Sequence, residues 1–341
     1  RTVTGVQTCA LPILFLPTIQ LSQSRLYSLW VCLGLIALTL LDLLPSDGDW
    51  VTFWGSEIFW ELRFPRVLSA LIGGVALGWS GMMMQTLFRN PLAGPFLIGI
   101  TPGATFGVAL VTYLGSRLGI NETFSHIAIQ PLAALGGAFL VLSIQLALHK
   151  KLTQMHSLLL VGLVLGYFFG AAVDIITQTA QAQQVKQFVM WGMGSFDRVL
   201  LNELIPLLVA TVLGGMILTY HRHAFNTYLL GDIHVESAGK SAKTLRQWLI
   251  FGSAVMAAIV TAFCGPISFV GLIAPHISRK IQGTYAHQKN IFTTALAGGL
   301  LTLAADLVAN NTLENSTLPV NAILSLIGAP LVIWILARKE G

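Results

Sequence analysis

Charged side chains are scarce in this sequence. Lys, Arg, Asp and Glu together make up 10% of the 341 residues, whereas 55% are hydrophobic and the mean hydropathy is +0.75. Soluble domains carry about 25% charged residues. The composition therefore excludes a soluble globular domain and is typical of a chain that crosses a membrane many times.

Cysteine is also scarce, and metal-binding patterns are missing. The three cysteines, Cys9, Cys32 and Cys264, lie far apart, which excludes a disulfide framework or a paired redox motif. None of the eight histidines belongs to a pair with metal-ligand spacing backed by acidic residues. We therefore expect no metal site in this chain.

Motifs of catalysis and nucleotide binding are absent as well. The sequence contains no GxxxxGK[ST] phosphate-binding loop, no HExxH and no GxSxG. We expect no catalytic residue, no cofactor bound by this chain and no enzymatic activity of its own. The net charge of +5 and pI of 9.2 arise from cations in short loops, so nucleic acid is not an expected partner.

Long apolar stretches make up most of the sequence. A membrane span needs about 20 mainly apolar residues. By that measure the chain divides into ten spans, at about 26–44, 62–87, 94–114, 127–148, 157–179, 199–220, 248–263, 266–282, 289–309 and 319–337. The pattern predicts an all-α, polytopic transmembrane bundle over residues 25–341, preceded by a tail at 1–24 whose composition does not identify it as native sequence.

Lys and Arg set the expected orientation, because cytoplasmic loops carry them in excess. With both termini on the cytoplasmic side, fourteen of the nineteen basic residues lie inside and five lie outside. The five outer residues are Arg63, Arg66, Arg117, Lys186 and Arg198. The distribution predicts a multi-pass protein of the bacterial inner membrane with both ends in the cytoplasm.

One predicted span is interrupted. The segment GPISFVGLIAPHISR contains two Gly and two Pro in an apolar run. Such breaks survive in lipid only where neighbouring helices or a water-lined cavity satisfy the freed backbone groups. We therefore predict a broken helix or translocation path formed by Gly265, Pro266, Phe269, Gly271, Pro275 and His276.

Glycine spacing indicates how the spans pack. Gly162, Gly166 and Gly170 repeat at GxxxG spacing on one helix face, as do three glycines from position 99. Small residues at this spacing let helix backbones approach closely. We predict that both sets lie at helix contacts.

Several motifs together resemble a known family. They are RFPRVLSALIGGVALGWSGMMMQTLFRNPLAGPFLIGITPGA (63–104), W-x-x-G-S at Trp191 to Ser195, the broken segment with its FVGL and PH-x-x-R elements, and LPVNAILSLIGAPLVIWIL (318–336). Their order over roughly residues 50 to 337 resembles FecCD-type permeases of bacterial ABC importers for ferric siderophores, haem and cobalamin.

The resemblance implies a type II ABC importer permease fold and a set of partners. These are a second copy of the chain or a close paralogue, two ATPase subunits that bind ATP and Mg, and a periplasmic or lipoprotein solute-binding protein. The chain itself would supply a path and a mechanical coupling in the lipid bilayer. An iron chelate, a ferric siderophore, is the expected cargo, and haem or cobalamin stay open.

The resemblance also assigns residues to the two faces. The segment 228–246 matches the family's cytoplasmic coupling helices, so Gly231, Asp232, Glu236, Gly239 and Arg246 are expected at the ATPase. The turn Arg89, Asn90 and Pro91 is expected there too. Asp232 is expected near a helix start, and Glu236 and Lys240 are expected to form an i,i+4 pair.

On the outer face, Arg63 and Arg66 match family arginines that meet acidic residues of the binding protein. The family usually adds an Arg after the ninth span and a Glu before the last Pro-Val. This chain has Asn310 and Thr317 instead. Weaker or rearranged docking electrostatics are therefore expected.

A second class of transporter remains open on the residues alone. Asp174 and Asp306 lie within spans, and intramembrane carboxylates are functional candidates. They could couple an ion-driven secondary transporter, although neither has an evident chain of ionisable partners. A faint similarity between the second to fifth spans and the seventh to tenth predicts an inverted repeat.

Overall fold

The computed structural model describes residues 27–28, 31–39, 42, 56–57, 59–117, 129–149, 155–312 and 317–337. Within these ranges the chain is helical, without strands. Six helices are long and apolar enough to cross a membrane, and two shorter apolar helices accompany them. The predicted all-α membrane bundle is confirmed. The tail at 1–24 and residues 43–55 lie outside the described residues.

Eleven helices are numbered here in chain order. They are α1 (Phe64–Leu87), α2 (Ile100–Arg117), α3 (Gln130–His149), α4 (Met155–Thr179), α5 (Ala182–Gly192), α6 (Leu204–Leu229), α7 (Asp232–Ser237), α8 (Ala242–Cys264), α9 (Val270–Gln282), α10 (His287–Asn311) and α11 (Val320–Ala337). A π-helical turn, Phe59–Arg63, leads into α1, and a 3-10 turn, Pro95–Ile98, precedes α2.

Most predicted spans coincide with one helix, but the count of ten is approximate. The predicted span at 266–282 is wrong as a crossing segment. Its helix, α9, begins only at Val270 and has 13 residues, which at 1.5 Å per residue is about 20 Å, short of a hydrocarbon core of about 30 Å. Helices α6 and α8 extend nine and six residues further than predicted, towards each other along the chain.

Helix α1 lies at the centre of the bundle. Seventeen of its 24 residues are buried. Two glycine pairs bring it against its neighbours: a Cβ on Gly74 would lie 2.4 Å from the carbonyl oxygen of Gly298 in α10, and a Cβ on Gly81 would lie 1.6 Å from that of Gly271 in α9. The backbones meet at these points, and no side chain would fit between them.

Polar side chains reinforce these contacts. Ser80 and Ser253 join α1 to α8 through hydroxyl groups 2.7 Å apart. Thr302 of α10 donates to the carbonyl oxygen of Ala70 at 2.7 Å, and the indole of Trp79 donates to that of Ile291 at 2.9 Å. Hydrogen bonds of this kind between membrane helices contribute about 0.6 kcal/mol each on average.

Helix α4 is buried along one stripe only. Over residues 157–179 the buried positions are Leu158, Gly162, Phe169 and Val173. A Cβ on Gly162 would lie 2.1 Å from the carbonyl oxygen of Leu97, whereas no described atom lies within 4 Å of a Cβ on Gly170. The helix contact predicted for this glycine set is therefore present at its first member, and its last member contacts no described residue.

One end of the bundle is held by an ion cluster, the Arg66 cluster, made of Arg66, Asp42, Asp197 and Asp306. The guanidinium of Arg66 lies 2.5 Å from Asp42, 3.0 Å from Asp306 and 3.6 Å from Asp197. The Asp306 side chain is 0% exposed, and Asn310 donates to its carboxylate at 3.2 Å. The cluster joins residue 42 to the start of α1, the loop before α6 and the last turns of α10.

Gly81→Ala is expected to lower the melting temperature of the detergent-purified protein. The new methyl group would displace α9 from α1, and overpacking of this kind costs about 1–3 kcal/mol. The matched control is Gly136→Ala in α3, where no described atom lies within 4 Å of the added Cβ and glycine is exchanged for a better helix former. Equal melting temperatures for the two variants would contradict the close contact between Gly81 and Gly271.

Arg66→Ala is expected to destabilise the protein by about 3–5 kcal/mol, because it leaves buried carboxylates without their cation. Adding Asp306→Asn to this variant should restore part of the loss, since one of the unpaired charges is then removed. Thermal unfolding of the single and double variants measures both effects. A double variant less stable than Arg66→Ala would show that Asp306 is held by other groups.

Candidate functional site: the broken helix and the Asp232 cluster

The break predicted between Gly265 and Phe269 is a real interruption. Helix α8 ends at Cys264, and α9 starts at Val270. Gly265 has φ +76°, and a Cβ there would lie 2.6 Å from the carbonyl oxygen of Trp191, so only glycine fits this position. Residues 265–269 lie between the two helices and belong to neither, so their backbone groups lack regular helical hydrogen bonds.

Two distant segments satisfy the backbone at the break. The N–H of Ser195 donates to the carbonyl oxygen of Cys264 at 2.8 Å, and the N–H of Ser268 donates to the side-chain oxygen of Asn321 at 3.0 Å. Buried backbone groups without such partners would be costly in lipid. The W-x-x-G-S segment and the start of α11 therefore complete the break.

Phe269 is the strained residue of the break. Its φ of +65° is unusual for a residue with a side chain. The ring lies against Gly328 of α11, where a Cβ would be only 2.5 Å from it. Conformations of this kind persist where the surrounding structure imposes them. Three of the motifs that are far apart in the sequence thus meet at one place.

The second part of the broken segment rests on α1. Pro275 lies inside α9, where it cannot donate a backbone hydrogen bond. Gln85 of α1 donates to the carbonyl oxygen of Leu272 at 3.1 Å, and Arg279 donates to the side-chain oxygen of Gln85. His276 is half-buried on the same helix. This packing stabilises a short helix that contains both Gly271 and Pro275.

The opposite end of the bundle from the Arg66 cluster carries many cations and is named the basic end. Its residues include Arg89, Arg222, Lys240, Lys243 and Arg246. The side chain of His149, at the end of α3, lies 3.3 Å from the carbonyl oxygen of Lys243, and Asn226, near the end of α6, accepts from the N–H of His287 at 2.9 Å. These contacts bring the ends of several helices together.

An ion pair network, the Asp232 cluster, organises this end. Asp232 is the first residue of α7, after Gly231 at φ +123°. Its two carboxylate oxygens accept from Arg89, just beyond α1, and from Arg246, in α8. Arg89 also donates to the carbonyl oxygen of Tyr228 at 2.9 Å and lies 4.4 Å from the centre of the Tyr228 ring. Arg246 donates to the Tyr228 hydroxyl at 3.2 Å.

The turn after α1 is shaped for this contact. Arg89 has φ +48°, and the side chain of Asn90 accepts from the N–H of Leu92 at 2.9 Å. Pro91 follows in the same turn. The predicted coupling residues of the two segments, Arg89 and Asp232, are therefore partners within one chain, and the sequence did not indicate that they touch.

One face of α7 is exposed. Val235 is fully buried on its inner face, whereas Glu236 is exposed. Gly239, beyond the helix end, has φ +71°. The predicted Glu236–Lys240 helical pair is wrong, because α7 ends at Ser237 and Lys240 lies outside it. Two residues that the sequence analysis missed are Leu230, 68% exposed, and Ile233, 78% exposed. They place an apolar surface next to the charged one.

The outer-face predictions require a correction at Arg66. A binding-protein contact needs an accessible cation, but the Arg66 side chain is 15% exposed and paired with carboxylates of its own chain. Arg63, at the end of the π-helical turn, is half-buried. The expectation that Asp306 lacks ionisable partners is wrong for the same reason. Asp174, by contrast, is exposed on α4.

Across the described residues, no group of three or more His, Cys, Asp and Glu side chains is arranged to hold a metal ion.

Comparison with solved structures gives the same architecture. A structure described as "An inward-facing conformation of a putative metal-chelate type ABC transporter" matches with a TM-score of 0.80 and 28% identity, over 92% of this chain and 99% of that chain.

Curated relatives match over nearly the full length. The vitamin B12 import system permease protein of Yersinia enterocolitica is 33% identical over 323 residues, 90% of this chain and 92% of the relative. The protein of the same description from Serratia proteamaculans is 33% identical over 310 residues, 86% of this chain and 88% of the relative. A family model described as the FecCD transport family matches residues 20–338. The chain therefore belongs to the FecCD transport family, the ABC importer permeases that its motifs resemble.

Proposed function

We propose that this chain is the permease of an importer that moves a metal chelate across the bacterial inner membrane, with both termini in the cytoplasm. The Asp232 cluster is the observation that carries the proposal. It fixes a short, exposed helix at the basic end of the bundle, in a chain without a nucleotide-binding loop. A helix held in this way is suited to receive motion from a separate ATPase.

The basic end offers the contact surface that such an ATPase needs. Asp232 is neutralised by two arginines of its own chain, so it positions α7 and does not itself pair with a partner. Leu230, Ile233 and Glu236 are exposed around it. Apolar side chains at the centre of an interface contribute more than exposed charges do. We assign the ATPase contact to this surface.

The remaining partners follow from the family. A second copy of the chain, or a close paralogue, would place two bundles side by side with the path between them. Helix α4 supports this arrangement, because residues such as Leu163, Tyr167 and Phe168 leave a broad apolar face uncovered within one chain. A solute-binding protein would dock at the Arg66 end, where Arg63 is the remaining arginine candidate.

The cargo we propose is a metal chelate of the size of a ferric siderophore. The relatives favour cobalamin as the second candidate, since several are vitamin B12 import permeases at 33–34% identity. Ion-coupled transport has no support from the geometry. Asp306 is fixed by Arg66, and Asp174 lies on a different helix with an exposed side chain.

Ile233→Asp is expected to abolish co-purification of the ATPase subunit in mild detergent, because it places an unpaired charge in an apolar contact. The control is Leu201→Asp, which makes the same kind of change on an exposed residue at the Arg66 end. Affinity purification followed by mass spectrometry measures the amount of ATPase retained. If Ile233→Asp retained the ATPase and Leu201→Asp lost it, the ATPase would bind at the Arg66 end, which would contradict the proposal.

Asp232→Asn is expected to reduce ATP-driven uptake in proteoliposomes about tenfold or more, because the negative charge and one of the two acceptor oxygens are lost and α7 is held less firmly. The control is Asp174→Asn, which should transport normally. Parallel assays with a labelled ferric siderophore, cobalamin and haem identify the cargo. Loss of uptake in Asp174→Asn with normal uptake in Asp232→Asn would favour ion coupling over an ATPase.

A further inference from the structure

A cavity of about 250 Å³ opens at the basic end, beside the Asp232 cluster. It lies between the end of α1, the broken helix α9 and the start of α10. Arg89, Arg279, Asn290 and Thr294 are among its lining residues, and no Asp or Glu is among the described residues that line it. Small-molecule sites occupy about 300–1,000 Å³, so this cavity suits a small polar group and not a large chelate.

Arg279 gives the cavity an uncompensated positive charge. One of its five N–H groups donates to Gln85, and its guanidinium lies 5.3 Å from the centre of the Tyr285 ring. In the part of the chain that the structure describes, no carboxylate lies within ion-pair distance of it. Arg89, the other cation of the lining, is already paired with Asp232. A half-buried guanidinium in this position favours an anionic partner.

Thr294 provides the second, independent observation. The residue is 0% exposed and lines the cavity, and its hydroxyl group has no hydrogen-bond partner among the described residues. Its methyl carbon faces Gly78, where a Cβ would lie 3.3 Å away. Thr294 is seven residues into α10, about 10 Å from the start of the helix. A buried hydroxyl without a partner is costly, and a ligand oxygen in the cavity would satisfy it.

Two further polar side chains of the lining have partners within the chain. The ring nitrogens of His287 contact Thr86 at 2.8 Å and Asn226 at 2.6 Å. The Asn290 amide donates to the carbonyl oxygens of Thr284 and Ala286, and its oxygen accepts from Ser278. The guanidinium of Arg279 and the hydroxyl of Thr294 keep donors that a ligand in the cavity can use, and Asn90 and Tyr285 also line the cavity.

We propose that this cavity binds a phosphate-type oxyanion, held by Arg279 at its mouth and by Thr294 at its floor. The group is either inorganic phosphate or the phosphate of an anionic lipid headgroup, and both present the same acceptor oxygens. The site is separate from the exposed surface of α7. Pro275 of the broken segment is among its lining residues, and the proposal does not rest on the proposed transport function.

The test measures the melting temperature of the detergent-purified full chain while sodium phosphate replaces sodium chloride at constant ionic strength. A second series adds phosphatidylglycerol, with phosphatidylcholine as the neutral lipid. A ligand that binds the folded state raises the melting temperature in a saturable way. Saturation with phosphate identifies the free anion, and saturation with phosphatidylglycerol alone identifies the lipid headgroup; both support the site.

Arg279→Gln is expected to raise the dissociation constant about tenfold or more, as loss of charge-assisted hydrogen bonds does. Lys280→Gln is the matched control, because it removes one positive charge from the exposed neighbouring position and should leave the constant unchanged. Thr294→Val, which replaces the hydroxyl with a methyl group, is expected to raise it about threefold to tenfold. It serves as the test if Arg279→Gln does not fold.

Three results would overturn the proposal. The wild type could show no saturable shift with either series. The weakening could be equal in Arg279→Gln and Lys280→Gln, which would indicate general charge attraction. Thr294→Val could bind as tightly as the wild type when Arg279→Gln does not fold.

Discussion

An interrupted helix in a membrane must find partners for its backbone inside the protein, and this requirement shapes the bundle. Lipid offers no donors or acceptors, so each carbonyl or N–H freed at a break has to be satisfied by another segment. The carbonyl oxygen of Cys264 accepts from the N–H of Ser195, and the N–H of Ser268 donates to the side chain of Asn321. Two segments that are distant in the sequence therefore satisfy the backbone at the break.

The same requirement explains why the few polar residues of the chain are concentrated at contacts. Ser80, Ser253 and Thr302 join the central helix to its neighbours. Asp232 holds two arginines at the basic end, and Asp306 holds Arg66 at the opposite end. In a chain with so little charge, each of these groups connects elements that apolar packing alone would hold without a fixed register.

Sequence patterns predicted the helices well, because long apolar runs are a direct consequence of the bilayer's thickness. They failed at α9, since hydropathy does not distinguish a short helix buried by neighbouring protein from half of a crossing helix. They also failed at Arg66, whose carboxylate partners lie at distant positions of the chain. The GxxxG spacing drew attention to Gly170, whereas the closest approach is between Gly81 and Gly271, on different helices where no spacing rule applies.

The length of α6 has a mechanical consequence. Its 26 residues extend about 39 Å, some 9 Å more than the hydrocarbon core. The helix thus extends from beside the Arg66 cluster to the loop that carries α7. A tilt of about 10° around its first residues would displace its last residues by about 7 Å. Because Tyr228 at this tip contacts Arg89 and Arg246, such a displacement would pull on the ends of α1 and α8 together.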